Sequence, residues 1–333
     1  MFVIAFLAWE VALSSFFQGI SRPTIPMVVG IGANLLNMVL DYVLIFGKLG
    51  LPAMGIAGAA TATVIAIAVQ AAVLQAVFLS GPIHRMFRSR SVLAFDMTKT
   101  RNLLRVGWPA GVTGFLDVFG WSVFTGFIVG SFGTVALAAH TAAMNFMHLS
   151  FMPAMALGAA ATAVVGQWIG RGNIEIAKAR AYTAVKLGVG IMTCFGLFFA
   201  VSGGTLMRVF SSDPEVTQLG HFLLILAAIF AGFDAVSIVL IGALRGAGDT
   251  RWIMWVLTTG AYLVNLPLAW IFGKTLGFGA AGAWVGATIY VILVSGMVFW
   301  RFRSEAWRSI NIFSSEDSTV EPIVVESAAR ESA

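Results

Sequence analysis

The chain is short of charge and of most residues that do chemistry in soluble active sites. Asp, Glu, Lys and Arg make up 11% of its 333 residues, less than half of the roughly 25% usual in soluble domains. That scarcity excludes an ordinary water-soluble fold. A single cysteine, Cys194, excludes an internal disulfide or a metal-thiolate cluster within one copy. Only four histidines occur, and no Ser/His/Asp or metal-ligand spacing stands out, so no enzyme motif and no cofactor are expected. A GxxxxGK[ST] phosphate loop is absent too, which argues against ATP as an energy source. The N-terminal stretch MFVIAFLAWEVALSSFFQG has no basic leader and stays apolar beyond Glu10, so it reads as a spanning helix and not as a cleaved signal. Lys and Arg outnumber the acids by 20 to 15, but all except Lys186 sit outside the apolar runs. Nucleic acid is therefore not an expected partner.

Apolar sequence is what remains. Hydrophobic residues make up 59% of the chain, at a mean hydropathy of +0.91. A helix needs about 20 apolar residues to cross a hydrocarbon core of roughly 30 Å. Nine such runs are legible, at roughly 1–20, 25–46, 56–79, 107–130, 137–165, 181–202, 219–242, 252–272 and 281–300. No β-barrel alternation appears, so each span must satisfy its own backbone as a helix. The expected fold is an all-α polytopic membrane protein. Loop parity places Arg22, the cluster from Arg85 to Arg105, Arg171, Lys178, Arg180, Arg245, Arg251, Arg301, Arg303 and Arg308 on one side. Lys48, Arg208 and Lys274 fall on the other. The first side is expected to be cytoplasmic, together with the C-terminus, in a plasma (inner) membrane.

One sentence is written twice. GANLLNMVLDYVLIFGKLGLPAMGIAGA (32–59) and GAYLVNLPLAWIFGKTLGFGAAGA (260–283) align Asn37 with Asn265, IFGK with IFGK, and GIAGA with GAAGA. Both start from a cytoplasmic turn and run outward, the signature of parallel repeats. The polar segment 81–106 is expected to be a cytoplasmic linker with a short amphipathic helix, between a partial lobe (1–80) and a six-helix lobe (107–303). The second copy closes a six-span lobe, whereas only one span precedes the first copy. The expected organisation is three plus six spans, short by about three helices at the N-terminus. The Ser- and Glu-rich tail, 304–333, is expected to be disordered.

Four acids fall inside spans: Glu10, Asp41, Asp117 and Asp234. A charged Asp at a helix centre costs roughly 2.5–3.5 kcal/mol, so each is a functional candidate. Helical spacing puts Thr113, Gly114, Gly120 and Trp121 on the Asp117 face, and Phe230, Ala231, Ser237 and Ile238 on the Asp234 face. Trp121, Phe230, Ser237 and Asn145 are candidates for the wall of a substrate cavity. Asn37 lies one turn before Asp41 and can donate to it or share a cation. Each acid has a structural alternative, a hydrogen bond that fixes helix packing. That alternative is preferred for Glu10, as it is for His140 and His148 over a proton relay.

These segments resemble the multidrug and toxic compound extrusion (MATE) family. FDAVSIVLIGALRGAGDT (233–250) is similar to that family's tenth helix and following turn, and RVGWPAGVTGFLD (105–117) to the start of its seventh. GQWIGRGN (166–173) is similar to the loop after its eighth helix, and NMVLD (37–41) to its fifth. The resemblance implies an antiporter that exports amphipathic, often cationic compounds in exchange for H+ or Na+. Asp117 and Asp234 would form one cation site, with Na+ possible there, and Asp41 with Asn37 another. Small organic cations and membrane lipid are the implied partners, and a monomer is expected. Three departures stand out: Asp117 replaces the usual Glu, Phe230 stands where Na+-coupled members carry Tyr, and the family's first three helices have no counterpart. Two alternatives remain open: a flippase for a lipid-linked precursor, which would need more basic residues in its spans, and a non-transporting fragment or partner subunit.

Overall fold

A computed structural model describes residues 2–50, 52–87, 89–90 and 97–310, and every regular element among them is helical. The chain forms two compact units, Met1–Asp96 and Met97–Ala333. The first contains α1 (Phe2–Gly19), α2 (Thr24–Phe46), α3 (Ile56–Phe78) and the short α4 (Gly81–Phe87). The second begins with α5 (Met97–Val123), which runs on through a π-helical turn, Phe124–Ile128, and a 3-10 turn, Val129–Phe132. There follow α6 (Thr134–Gly170), α7 (Ile174–Phe210), α8 (Pro214–Gly246), α9 (Thr250–Thr259), α10 (Leu266–Trp270) and α11 (Gly279–Arg303).

Eight helices among the described residues are long and apolar enough to cross a membrane, and the shorter apolar stretch Ile4–Gly19 stands at the first expected span. The chain is a multi-pass membrane protein. Its lipid-facing positions carry large apolar side chains, such as Val201 at 84% exposure and Phe127 at 75%. Differences from the sequence reading have local causes. Helix α5 starts at Met97 and not at 107, so much of the expected linker is helical, with α4 as its other helical piece; residues 88 and 91–96 of it lie outside the described residues. The span expected at 252–272 runs from Thr250 to Thr275 but widens into π-helix at Gly260–Asn265 and Ile271–Thr275. Pro267 lies between these segments, lacks an N–H, and crowds the carbonyl one turn back, which the wider turn accommodates.

The twin segments share one contact and differ in their turns. A Cβ on Gly58 would lie 2.7 Å from the Leu44 carbonyl oxygen, and one on the matching Gly282 would lie 2.4 Å from that of Phe272. Each glycine lets one helix of a hairpin press on the backbone of the other. In the first copy IFGK ends the helix, with Gly47 in the left-handed region (φ 64°) as its cap. In the second copy IFGK stays helical as the π turn Ile271–Thr275, and the chain reverses after it.

Helix α8 is the hub of the six-helix unit, packing against α6, α7 and α11. Small residues make this possible. A Cβ on Gly242 would stand 2.1 Å from the Gly158 carbonyl oxygen of α6, and one on Gly246 2.3 Å from that of Thr162. Thr162 Oγ1 also donates to the Gly242 carbonyl at 2.8 Å, a polar clasp between helices where no water competes.

Charges gather where α7 begins and α11 ends. Arg301 Nε donates to Asp249 Oδ2 at 2.8 Å, and Asp249 is only 4% exposed. Lys178 pairs with Glu305, and Arg308 bridges Glu305 at 2.9 Å and Glu175 at 2.5 Å. The chain expected to be disordered from 304 is therefore ordered to 310. Glu305 turns it back with φ 58°, and Trp307 stacks on Phe302 at 5.4 Å while donating to its carbonyl at 2.9 Å. Residues 311–333 of that tail lie outside the described residues.

Two outcomes test this packing. Gly242→Val should lower the thermal unfolding midpoint in detergent, by the about 1–3 kcal/mol or more that overpacking costs, whereas Gly114→Ala, with nothing within 4 Å of its Cβ, should leave it unchanged. The hydrogen bond from Lys178 holds the Glu305 carboxyl below its ordinary 4.5. A lowered folded-state value means a contribution present above the ordinary value and lost as pH falls through the folded one. Hydrogen exchange of residues 304–310 should therefore be slow at neutral pH and rise only below about pH 4.5, and Glu305→Gln should raise it at neutral pH.

Candidate functional site

The six-helix unit carries two acids 117 residues apart in sequence. Asp117 is exposed on α5 and Asp234 half-buried midway along α8, within range for the charge of Asp117 to act on Asp234. Tyr290 of α11 feels both, and Tyr262 of the π-helical segment and Arg245 near the end of α8 feel Asp117. Two carboxylates within electrostatic range repel, the more so where, as at half-buried Asp234, water screens them less. The pair is most stable when one member is neutral or a cation lies between them.

Local structure explains how each acid is held. The Tyr262 hydroxyl donates to the Leu116 carbonyl at 2.9 Å, on the peptide that leads into Asp117. Its ring sits against Gly120, whose Cβ would lie 3.8 Å from the Tyr262 oxygen. The space beside Gly120 is thus filled by Tyr262, while Gly114 borders open space. Thr113 is buried and donates to the Pro109 carbonyl at 2.7 Å, so its hydroxyl is occupied. Ser237 Oγ donates to the Asp234 carbonyl at 2.9 Å and stands 3.3 Å from Asp234 Oδ1.

Of the cavity-wall candidates, two are buried. Phe230 is 3% exposed in the main core and Ser237 is 4% exposed, so here they act as packing and as a partner to Asp234. Trp121 is half-buried, edge-on to Phe124 at 5.5 Å, and Asn145 is exposed on α6. Tyr262, Tyr290 and Arg245 were not singled out from sequence as site residues. The clue was slight: the chain has only four tyrosines, and two, Tyr42 and Tyr262, lie in the repeated segments.

In the three-span unit, Asp41 Oδ1 is buried and has no hydrogen-bond partner among the described residues. With the Asn37 amide turned to donate, its nitrogen lies 3.2 Å from Asp41 Oδ2 and its oxygen 3.2 Å from the Thr63 backbone nitrogen. Asn37 thus spans from Asp41 to α3 and leaves one carboxylate oxygen unsatisfied, an arrangement that a proton or cation would complete. Asn265, the counterpart in the second copy, is 4% exposed with its Oδ1 likewise unpartnered. No acid follows it one turn later; that position is Ala269.

Two of the remaining candidates are committed to hydrogen bonds. Glu10 Oε1 accepts from Ser14 Oγ at 2.6 Å and from Gln70 Nε2 at 3.0 Å, which ties α1 to α3. His140 is 1% exposed, accepts from Trp284 Nε1 at 3.1 Å through Nδ1, and is left to donate to Thr125 Oγ1 at 2.9 Å through Nε2. His148 is exposed and Cys194 is free. Among the described residues no three His, Cys, Asp or Glu converge as a metal cluster. Any cation held at the acid pair would need hydroxyl or carbonyl oxygens as well. His140→Leu should lower stability by about 1–3 kcal/mol, because it leaves the Trp284 N–H buried and unpaired; a calorimetric midpoint equal to that of the parent would show the bond to be dispensable.

Comparison with known proteins adds an independent line. A family model described as MatE matches residues 109–271. The chain is 30% identical over 303 residues to the multidrug resistance protein MdtK of Edwardsiella ictaluri, covering 90% of this chain and 66% of that one. It is 31% identical over 317 residues to MdtK of Yersinia pseudotuberculosis, covering 89% and 67%. A solved structure of a mutant of the Vibrio cholerae MATE transporter VcmN superposes with a TM-score of 0.80 at 20% identity, covering 91% of this chain and 67% of that one. The chain thus spans about two thirds of the length of the relatives it matches.

Proposed function

The chain belongs to the multidrug and toxic compound extrusion family, and from that membership we propose that it exports amphipathic organic cations by secondary antiport. The observation that carries the reading is the acid pair of the six-helix unit, Asp117 exposed on α5 and Asp234 half-buried on α8, within electrostatic range of each other. Two carboxylates that feel each other can be compensated by a proton or by a cationic substrate, and competition between these occupants is the minimum requirement for exchange. If each occupant favours a different packing of α5 and α8, binding energy at the acids drives alternating access across the membrane.

The proton is the proposed coupling ion. Phe230 offers no oxygen one turn before Asp234 and is buried in the core, which leaves a sodium ion short of ligands on α8. Asp41, with its unpartnered Oδ1, is proposed as a second, separate proton site in the three-span unit. A cytoplasmic C-terminus is proposed from the loop charges. The same charges argue against a flippase of lipid-linked pyrophosphates, because cations are nearly absent from the apolar parts of the spans.

Export of a fluorescent organic cation from vesicles containing the purified chain should follow an imposed pH gradient. Asp234→Asn and Asp117→Asn should each reduce it at least about ten-fold, the effect of about 1.4 kcal/mol on a rate. Glu10→Gln should leave it within two-fold. Undiminished export by Asp234→Asn would overturn the assignment, and absence of export by the unaltered chain would favour a non-transporting role.

A further inference from the structure

The end of the six-helix unit remote from the cationic loops carries a second built feature, at the α7–α8 connection. Helix α7 has Lys186 on one side of its apolar stretch and Arg208 on the other, 22 residues apart. At about 1.5 Å per residue this is about 33 Å, close to the roughly 30 Å of a hydrocarbon core. Arg208 therefore stands at the level of the lipid headgroups. It is exposed, and among the described residues it makes no ion pair and no hydrogen bond.

Arg208 borders a hollow of about 520 Å³ that is also lined by Gly204, Ser212, Thr217, Gln218 and His221. An apolar groove adjoins it. Leu219, Phe222 and Ile225 form one wall on α8, Val135 of α6 and Ala281 of α11 the others, and Glu215 stands at its mouth. Gln218 and His221 line both spaces, so the hollow and the groove are continuous. His221 is built into this junction. Its Nε2 donates to the Ala200 carbonyl at 3.3 Å, which leaves Nδ1 as an acceptor, and its ring fits only because Gly203 has no Cβ, which would lie 2.7 Å from Cδ2.

We propose that this junction binds a phosphatidylethanolamine molecule. The phosphate sits on the Arg208 guanidinium and the Gln218 amide, the ammonium on the Glu215 carboxylate and His221 Nδ1, and an acyl chain lies along the groove. From Glu215 to Ile225 that groove runs about 15 Å at 1.5 Å per residue. Charge selects the headgroup. Arg208 contributes one positive charge, and Asp213 and Glu215 contribute two negative ones, a local balance that disfavours a purely anionic lipid. Asp213 is committed as the α8 cap, its Oδ1 accepting from Glu215 N at 2.9 Å. The Glu215 carboxylate makes no bond among the described residues and is left for a cation. A headgroup carrying both charges matches this pattern, and its lipid tail matches the groove.

The test is native mass spectrometry of the delipidated chain in detergent, with phosphatidylethanolamine, phosphatidylglycerol or water-soluble phosphoethanolamine added at equal concentration. Retention of phosphatidylethanolamine should exceed that of phosphatidylglycerol about ten-fold. Arg208→Ala should abolish the retention, and Glu215→Gln should reduce the preference to near parity. Both side chains are exposed, and an unchanged unfolding midpoint would confirm that the variants fold. Equal retention of the two lipids by the unaltered chain would overturn the proposal. So would unchanged retention by Arg208→Ala, or binding of phosphoethanolamine as tight as that of the lipid, which would make the hollow a site for free phosphate esters.

Discussion

Backbone contact between α6 and α8 is the constraint on which the six-helix unit depends. Gly242 and Gly246 bring α8 within van der Waals reach of carbonyls on α6, and Thr162 adds a hydrogen bond to the same surface. In lipid, tails are as apolar as side chains, so close packing and such interhelical bonds supply what the hydrophobic effect supplies in water. Drawn to the centre this way, α8 touches α6, α7 and α11. Its midpoint, and with it Asp234, is carried into the interior.

The acid pair follows from that arrangement. Asp117 is set within electrostatic range of Asp234 by the packing of α5 beside the irregular span that follows α8, with Tyr262 bonded to the peptide before Asp117. Pro267 follows the π-helical segment Gly260–Asn265, whose wider turn accommodates it, so a single residue without an N–H bears on where a phenol meets α5. The three-span unit solves a related problem more sparingly. Asn37 satisfies one oxygen of Asp41 and leaves the other bare. The second copy of the repeat retains the asparagine as Asn265 but not the acid. The two units thus share a hairpin and differ in where their charge is placed.

Polarity divides the two ends of the six-helix unit. One end is closed by ion pairs among Glu175, Lys178, Asp249, Arg301, Glu305 and Arg308. At the other, Arg208 makes no ion pair among the described residues and borders an open hollow. The paired end spends its charges on holding α11 and the chain beyond it to α7. The opposite end leaves Arg208 and Glu215 exposed.

Hydropathy alone determined the number and approximate position of the spans, because only a helix of about 20 apolar residues can cross hydrocarbon with its backbone satisfied. It also exposed the repeat and the costly acids, since a charge in a run such as AAIFAGFDAVSIVLIGAL stands out whatever the fold. Element ends were less legible. The 304–310 segment looked like a free tail because its composition is polar, yet its charges have partners on α7 that lie more than a hundred residues away. Only the tertiary structure decided which polar residues are committed. His140 and Glu10 are satisfied by Trp284, Gln70 and Ser14 from neighbouring turns and helices, while Asp41 keeps a bare oxygen. Likewise Phe230 turned out to be core, and Tyr262 and Tyr290 reached the acids from helices no local pattern connects to them. Spanning is a property of one segment and its solvent, whereas the satisfaction of a buried polar atom depends on whichever distant side chain packing brings within about 3 Å.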